Sequence, residues 1–557
     1  MKALSVIMVL FLLAQPAEST PSGCFYGAGP LGDDENPAVR VGEEFTVIDL
    51  YVSNAFLALD RPYGVDATVA HEIIRHWTQS VHGAFGSRFA VRYAGTTAAT
   101  NCTGQDGPVI IVVPRTPAGP GQSGFTTELN RGAENDLRCA LFKVTDLYHI
   151  TNDTSRARLF YSVLWHEFMH VLGYSHADEV TCWDGTNTTW LNEKTVNLIS
   201  YSSGVDDHNS PTFADIKNVR RTYGVPELLV VRRLQGSGGW SSELELDNEG
   251  VGPVAAADGN THAEGYVFNY YTGLGGWESK TRAAIYESGA WTEEAPSTLR
   301  SMHAPSIARS TGQATNKWLV GFLKGDDGDS TDKDLYFRER NFGSSTWAAG
   351  GAVSEDMVTS AQMAVAYDPF TNRFIVAYID NDWNLLVRTR PFNSTTWSVA
   401  YEETDFGDIY AFSNGLDVAC SSYDSTGSYD NCVVSVRVLG TDSLSGFVLT
   451  RTFLVNGSGA VVFGDPWDSG YISAPLTSTP VVSAQPAGSE PQFRMAYAQA
   501  GDAADTVRTF TKASNSIAWV AVTSLSANSA PWARPASIGA HVYSSTTYKQ
   551  LAYSRLP

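Results

Sequence analysis

Two textures of apolar and polar alternation meet near Pro226. Before it the chain mixes periods of two and of 3.6 residues. FTVIDLYVSNAFL (45–57) and GPVIIVVP (107–114) read as strands, while VDATVAHEIIRHWTQSVHGAF (65–85) and SRARLFYSVLWHEFMHVLG (155–173) read as helices. PTFADIKNVRRTYG (211–224) predicts a closing helix, with Thr212 as N-cap, Asp215 three residues on and Gly224 as the stop. The pattern is that of an α+β domain, with a boundary directly after it.

From Leu228 onward only short alternating strands with aromatic punctuation remain, in a loose repeat of roughly 50 to 65 residues. One phrase recurs six times: GPVAA, APSIA, QMAVA, GLDVA, TPVVS and ASIGA. An apolar-aromatic strand follows each: GYVFNY, WLVGF, FIVAY, CVVSV, FRMAY and QLAY. A third phrase runs into a tryptophan, as at Trp347 and Trp397. The C-terminus supplies only the first two phrases, and LLVVRRLQGSGGW, ending at Trp240, supplies the missing third. Complementary half-repeats predict a closed β-propeller of six blades, one built from both ends, in preference to a pair of β-sandwiches. The expected fold class is therefore multidomain: signal peptide 1–23, an α+β domain over 24–225, and an all-β domain over 226–557.

A chain of 557 residues has ample material for two or three cores. Its first twenty residues place one lysine before a twelve-residue apolar run and then small and polar residues, which predicts a secretory signal and a secreted, extracellular protein. No later stretch is apolar enough to span a bilayer, so no transmembrane segment is expected. The formal net charge of -21 excludes nucleic acid as a partner, because phosphates would repel it. Six cysteines in an exported chain read as disulfides. Cys420 and Cys432 flank a polar turn, predicting a bridge that closes a hairpin, whereas Cys24, Cys102, Cys139 and Cys182 allow three pairings. Lipidation of Cys24 within PSGC is disfavoured, since the usual leucine is missing and an odd cysteine would be stranded.

Residues 166–176 read HEFMHVLGYSH. Histidines four apart lie one above the other on a helix face and grip one ion, and Gly173 lets the chain turn so that His176 approaches from another side. Glu167 lies one residue round the helix, where it misses the metal but reaches a metal-bound water. This segment matches the metzincin HExxHxxGxxH signature, and FADIKNVRRTYG resembles the closing helix of the matrixin branch, so residues 40 to 224 resemble a metzincin zinc metalloprotease. The resemblance implies one catalytic Zn2+ on His166, His170 and His176, with Glu167 as general base. It implies a zinc endopeptidase acting on a protein or peptide substrate. The methionine that the family places beneath the metal is replaced by Ile199, and Tyr201 resembles a tyrosine that some members use as a fifth ligand or to steady the transition state. No match to the matrixin cysteine switch exists.

Other features are weaker. His71 and His76 are five apart and diverge on a helix, which reads as a solvated face. Asp326, Asp327, Asp329, Asp332 and Asp334 form one acidic loop and Asp380-Asn381-Asp382 a second; Ca2+ would suit them, though solvated loops explain them better. Arg282, Arg338 and Arg388 each precede a tryptophan by nine residues, a spacing best read as structural cover of the ring. Three functions compete. The first is a secreted endopeptidase whose propeller binds a substrate or a surface glycan or protein. The second is a lectin-like binding protein with an inactive metzincin domain. The third, a sialidase, is remote because the S-x-D-x-G-x-T-W boxes are missing.

Overall fold

The computed structural model describes residues 23–25, 46–85, 89–105, 107–115, 125–131, 137–146, 154–172, 180–183, 191–193, 219, 228–235, 244–247, 250–260, 263–271, 279–287, 289–297, 305–323, 335–353, 363–380, 384–403, 410–421, 430–439, 447–464, 481–487, 490–499, 506–513, 518–526, 538–545 and 548–555.

The chain opens with β1 (Gly23–Phe25), β2 (Thr46–Ser53), a short α1 (Asn54–Leu57) and α2 (Ala67–Phe85). There follow β3 (Phe89–Thr97), β4 (Val109–Arg115), β5 (Phe125–Arg131), β6 (Leu137–Thr145) and α3 (Thr154–Val171), then β7 (Val180–Trp183) and β8 (Leu191–Glu193). The sequence FTVIDLYVSNAFL, read as one strand, breaks after Ser53 because the Ser53 hydroxyl caps α1 by accepting from the Phe56 amide at 3.1 Å. Asp66 caps α2 in the same way, accepting from the Thr68 amide at 2.9 Å.

Five strands form one sheet in the order β3-β2-β4-β6-β5, parallel except for β5, which runs antiparallel to β6 at the edge. The apolar run of β4 is buried on both faces, as a central parallel strand requires. Ile48, Leu50, Ile110, Val112 and Phe142 pack against Ile73, Trp77, Phe160, Trp165 and Phe168 of the two helices. Val109, Ile111 and Leu141 line the other face, beside the Cys102–Cys139 disulfide. That bridge is one that the sequence left open. Of the expected closing helix only Val219 lies among the described residues, and it is helical and buried.

The remaining strands build a β-propeller. The first sheet comprises β9 (Leu228–Gln235) and β10 (Leu244–Asp247), joined by the last two strands of the chain. Five sheets of four consecutive strands follow: β11 (Gly250–Asn260) to β14 (Ala290–Glu294) by way of β12 (Ala263–Tyr271) and β13 (Ser279–Glu287), then β15 (Ser306–Arg309), β16 (Lys317–Leu323), β17 (Leu335–Asn341) and β18 (Ala348–Val353). The third of these holds β19 (Met363–Asp368), β20 (Arg373–Ile379), β21 (Leu385–Pro391) and β22 (Tyr401–Glu403), and the fourth β23 (Tyr410–Cys420), β24 (Cys432–Leu439), β25 (Phe447–Val455) and β26 (Val461–Phe463). The fifth holds β27 (Val481–Ala487), β28 (Glu490–Gln499), β29 (Thr506–Ala513) and β30 (Val520–Ser526), after which β31 (Ile538–Ser545) and β32 (Tyr548–Arg555) return to β9. Every pairing within these sheets is antiparallel. The first strands β11, β15, β19, β23, β27 and β31 touch one another in ring order, and β31 meets β11. The pairing of β32 with β9, residue Leu551 opposite Arg232, is the predicted junction of the two ends.

The sheets pack through small-into-large contacts. Gly265 on β12 faces the Trp318 ring of the next sheet, so a Cβ there would lie 2.5 Å from the indole. Gly351 on β18 has φ +98, and a Cβ would meet the Thr395 carbonyl oxygen at 2.2 Å. Gly351→Ala is therefore expected to destabilise the propeller by roughly 2 kcal/mol or more, the sum of backbone strain and overlap. A calorimetric transition unchanged from wild type would refute that reading. Cys420 lies opposite Cys432 in the β23–β24 ladder and is bonded to it, which closes that hairpin as the sequence predicts. No helix among the described residues is long and apolar enough to cross a membrane.

Candidate metal site and ligand-binding face

α3 is buried nearly all round from Phe160 to Met169, which fixes the direction in which its few polar side chains point. His166 and Glu167 are 5 % and 6 % exposed. The Nε2 atoms of His166 and His170 converge to 3.2 Å, with their rings edge to face at 88°. Two nitrogens bound to one tetrahedral zinc at ~2.05 Å would lie roughly 3.3 Å apart, so the pair fits that ion. His176, Ile199 and Tyr201 lie outside the described residues.

Glu167 accepts a hydrogen bond from the Thr127 hydroxyl at 2.6 Å. Thr127 stands on the antiparallel edge strand β5, and nothing in the spacing of the histidine motif points to it; only the alternation of β5 could have found it. Burial pushes the Glu167 carboxyl up to about 7, with the Thr127 hydrogen bonds and Arg115 pulling it back. A carboxyl in this range accepts or releases a proton at neutral pH. Tyr63, beside this region, is raised to about 12, chiefly by burial. His71 departs from the solvated face that the sequence suggests: it is half-buried, its Nε2 lies 2.7 Å from the Tyr93 hydroxyl, and burial lowers its pKa. Asp380 accepts from the Asn384 amide and side chain at 2.8 and 3.2 Å, while the Asp326 to Asp334 loop lies outside the described residues.

In the propeller the cations that matter stand seven, not nine, residues before the tryptophans. Arg340 and Arg390 are buried and place their guanidinium carbons 5.8 Å from the Trp347 ring and 5.4 Å from the Trp397 ring. Lys512 lies 6.0 Å from the Trp519 ring. Each sits opposite an aromatic residue of the neighbouring strand: Trp318, Phe374 and Phe493. The arginines also reach the preceding sheet. Arg340 pairs with Glu287 at 2.9 Å and Glu294 at 3.1 Å, Arg390 with Glu339 at 3.1 Å, and Arg451 with Glu403 at 3.3 Å. Of the arginines singled out from sequence, Arg388 donates to the Tyr378 hydroxyl and the Ser398 carbonyl, and Arg282 pairs with Glu293 at 3.5 Å.

The first consecutive sheet departs from this rule. Ala284, opposite Tyr266, stands where the others have a cation, and Trp291 on the outermost strand β14 stays 37 % exposed against 9 % for Trp397. Its ring stacks 5.9 Å from Tyr266 and lies 5.3 Å from Tyr286, forming an aromatic surface bordered by Arg282 and Glu293.

No protein-family model matches the chain, and no curated protein does. Solved structures resemble it over about half its length. A lectin of Aleuria aurantia, solved with a fucosylated sugar, is 10% identical, covers 53% of this chain and 87% of its own, and gives a TM-score of 0.35. AofleA from Arthrobotrys oligospora is 9% identical over 55% of this chain and 80% of its own, with a TM-score of 0.38. A polysaccharide lyase, an ulvan lyase, is 10% identical over 56% and 80%, with a TM-score of 0.34.

These findings correct the sequence-based assignment. The metzincin clan and matrixin branch find no support in a family model or curated relative, and the similar structures include a lectin and a polysaccharide lyase. Among the described residues no group of three His, Cys, Asp or Glu side chains is assembled for a metal. The zinc metalloendopeptidase function is withdrawn with that assignment, as is the protein or peptide substrate. Most of the described residues belong to the propeller.

Proposed function

We propose that the chain is a secreted, lectin-like binding protein whose six-bladed propeller (residues 226–557) takes a glycan at Trp291. The observation that carries this reading is the exposure of Trp291 on the outermost strand of its sheet, stacked on Tyr266 and flanked by Tyr286. The C–H face of a pyranose packs on such a ring, while hydroxyls bond to charged groups at its border, here Arg282 and Glu293. A ring of sheets locked by buried ion pairs holds that surface rigid, which lowers the entropy lost on binding. Disulfides and the apolar leader support export through an oxidising compartment. Screening the secreted chain against immobilised glycans tests the idea. Trp291→Ala is expected to weaken binding roughly tenfold, about 1.4 kcal/mol; a variant that binds every retained glycan as wild type does would end the proposal.

For the N-terminal part, residues 24–225, we infer a bound zinc ion on His166, His170 and His176, supported by the convergence of the first two at 3.2 Å. Glu167 would accept a hydrogen bond from a water completing the shell, and Thr127 holds its carboxylate in place. A zinc held by these residues would supply Lewis acidity and would link α3 to His176.

A further inference from the structure

The short sheet formed by β1, β7 and β8 contains two cysteines that no pairing above uses. β1 and β7 run antiparallel in a register that puts Cys24 directly opposite Cys182, with Gly23 opposite Trp183 and Phe25 opposite Thr181. Residues directly opposed in an antiparallel ladder have Cα atoms about 4.5 to 5.5 Å apart, within the range that a disulfide bridges. The molecule supplies its own precedent: Cys420 and Cys432 are opposed in the same manner on β23 and β24, with Cα atoms 4.1 Å apart, and are bonded. The chain has six cysteines, and Cys102–Cys139 with Cys420–Cys432 account for four.

We propose that Cys24 and Cys182 form a third disulfide, tying the first described strand to the strand that begins four residues after His176. Each thiol gives up one proton and one electron as the S–S bond forms. The electrons pass to a dithiol-disulfide exchange partner of the oxidising export compartment, whose disulfide is reduced to two thiols. Two consequences follow. Cys24 is then not available for acylation, in keeping with the PSGC sequence, which disfavours lipidation. The bridge also closes a loop of more than 150 residues that contains the whole five-stranded sheet, so it restricts the unfolded chain more than either of the other two, whose separations are 37 and 12.

The test is peptide mapping of the full secreted chain by mass spectrometry, with free thiols alkylated before digestion under non-reducing conditions. A peptide pair joining Cys24 to Cys182, absent from Cys24→Ser, is the expected result. In Cys24→Ser the Cys182 thiol becomes alkylated, and in the double variant Cys24→Ser with Cys182→Ser no free thiol appears. The thermal transition of the N-terminal part should fall by several degrees in both variants. An acyl chain on Cys24, alkylation of Cys24 or Cys182 in the wild type, or linkage of either to another cysteine overturns the proposal.

Discussion

Arg340→Ala is expected to lower the stability of the propeller by about 3 to 5 kcal/mol, the usual cost of removing one partner from a buried ion pair. The side chain is 2 % exposed, and its guanidinium joins two sheets by pairing with Glu287 and Glu294 of the preceding one. It also donates to the Ser344 carbonyl at 2.7 Å and faces the Trp347 ring. Alanine removes all of this at once and leaves two carboxylates, 15 % and 11 % exposed, facing each other without the charge that neutralised them. Glu294 retains its bond from Trp347 Nε1 at 2.7 Å, and Glu287 keeps the Gly343 amide at 3.1 Å, so both stay held in place and repel. Adding Glu287→Gln and Glu294→Gln to Arg340→Met should recover most of the loss, because the desolvation penalty disappears with the charges. Scanning calorimetry of the full chain decides the matter. A propeller transition within a degree of wild type in Arg340→Ala would show that the clamp contributes nothing.

That clamp also shows what the sequence could and could not reveal. The propeller and its closure were legible because they rest on repetition: six apolar phrases and two complementary half-repeats at the ends, confirmed by the pairing of β32 with β9. The contacts between sheets were not, because they depend on which position along a strand comes to lie beside the ring and the neighbouring sheet. Arg282, Arg338 and Arg388 attracted notice by a constant spacing of nine. The residues that cover the rings are Arg340, Arg390 and Lys512, two positions on from the equivalent arginines where these are present, and lysine had broken the pattern by type. The positions seven and nine before the tryptophan lie two apart on one strand and share a face; what separates them is the cross-strand partner, an aromatic ring opposite Arg340 and Arg390 but valine opposite Arg338 and Arg388, visible only after the ladders are drawn. Cys102 and Cys139 were unreadable for a similar reason: a 37-residue separation says nothing until β4 and β6 bring their neighbourhoods together. At the candidate metal site, helical periodicity alone foretold the approach of His166 to His170, whereas the Thr127 contact to Glu167 needed the position of an edge strand. The motif alone does not carry a protease family, for which no family model and no curated relative is found.

Zinc binding should vanish almost entirely when either described imidazole is removed. The full chain is expected to hold one zinc, and His166→Ala or His170→Ala should each weaken binding at least a hundredfold, measured by elemental analysis after dialysis and by competition with a coloured chelator. The size of the effect follows from the geometry. The two Nε2 atoms already stand 3.2 Å apart on a buried helix, so little reorganisation remains to be overcome, and losing one nitrogen breaks the chelate. His71→Ala serves as the contrast: its ring is committed to the Tyr93 hydroxyl, and its loss should leave zinc content unchanged. Glu167→Gln should keep the metal, since the carboxyl is held by Thr127 and is not counted among the ligands. Binding also depends on pH, because imidazole must be neutral to coordinate; release of the ion on acidification below about 6 is expected in the wild type. Equal zinc content in His166→Ala and wild type would remove the site, and loss of zinc in His71→Ala would move it to His71.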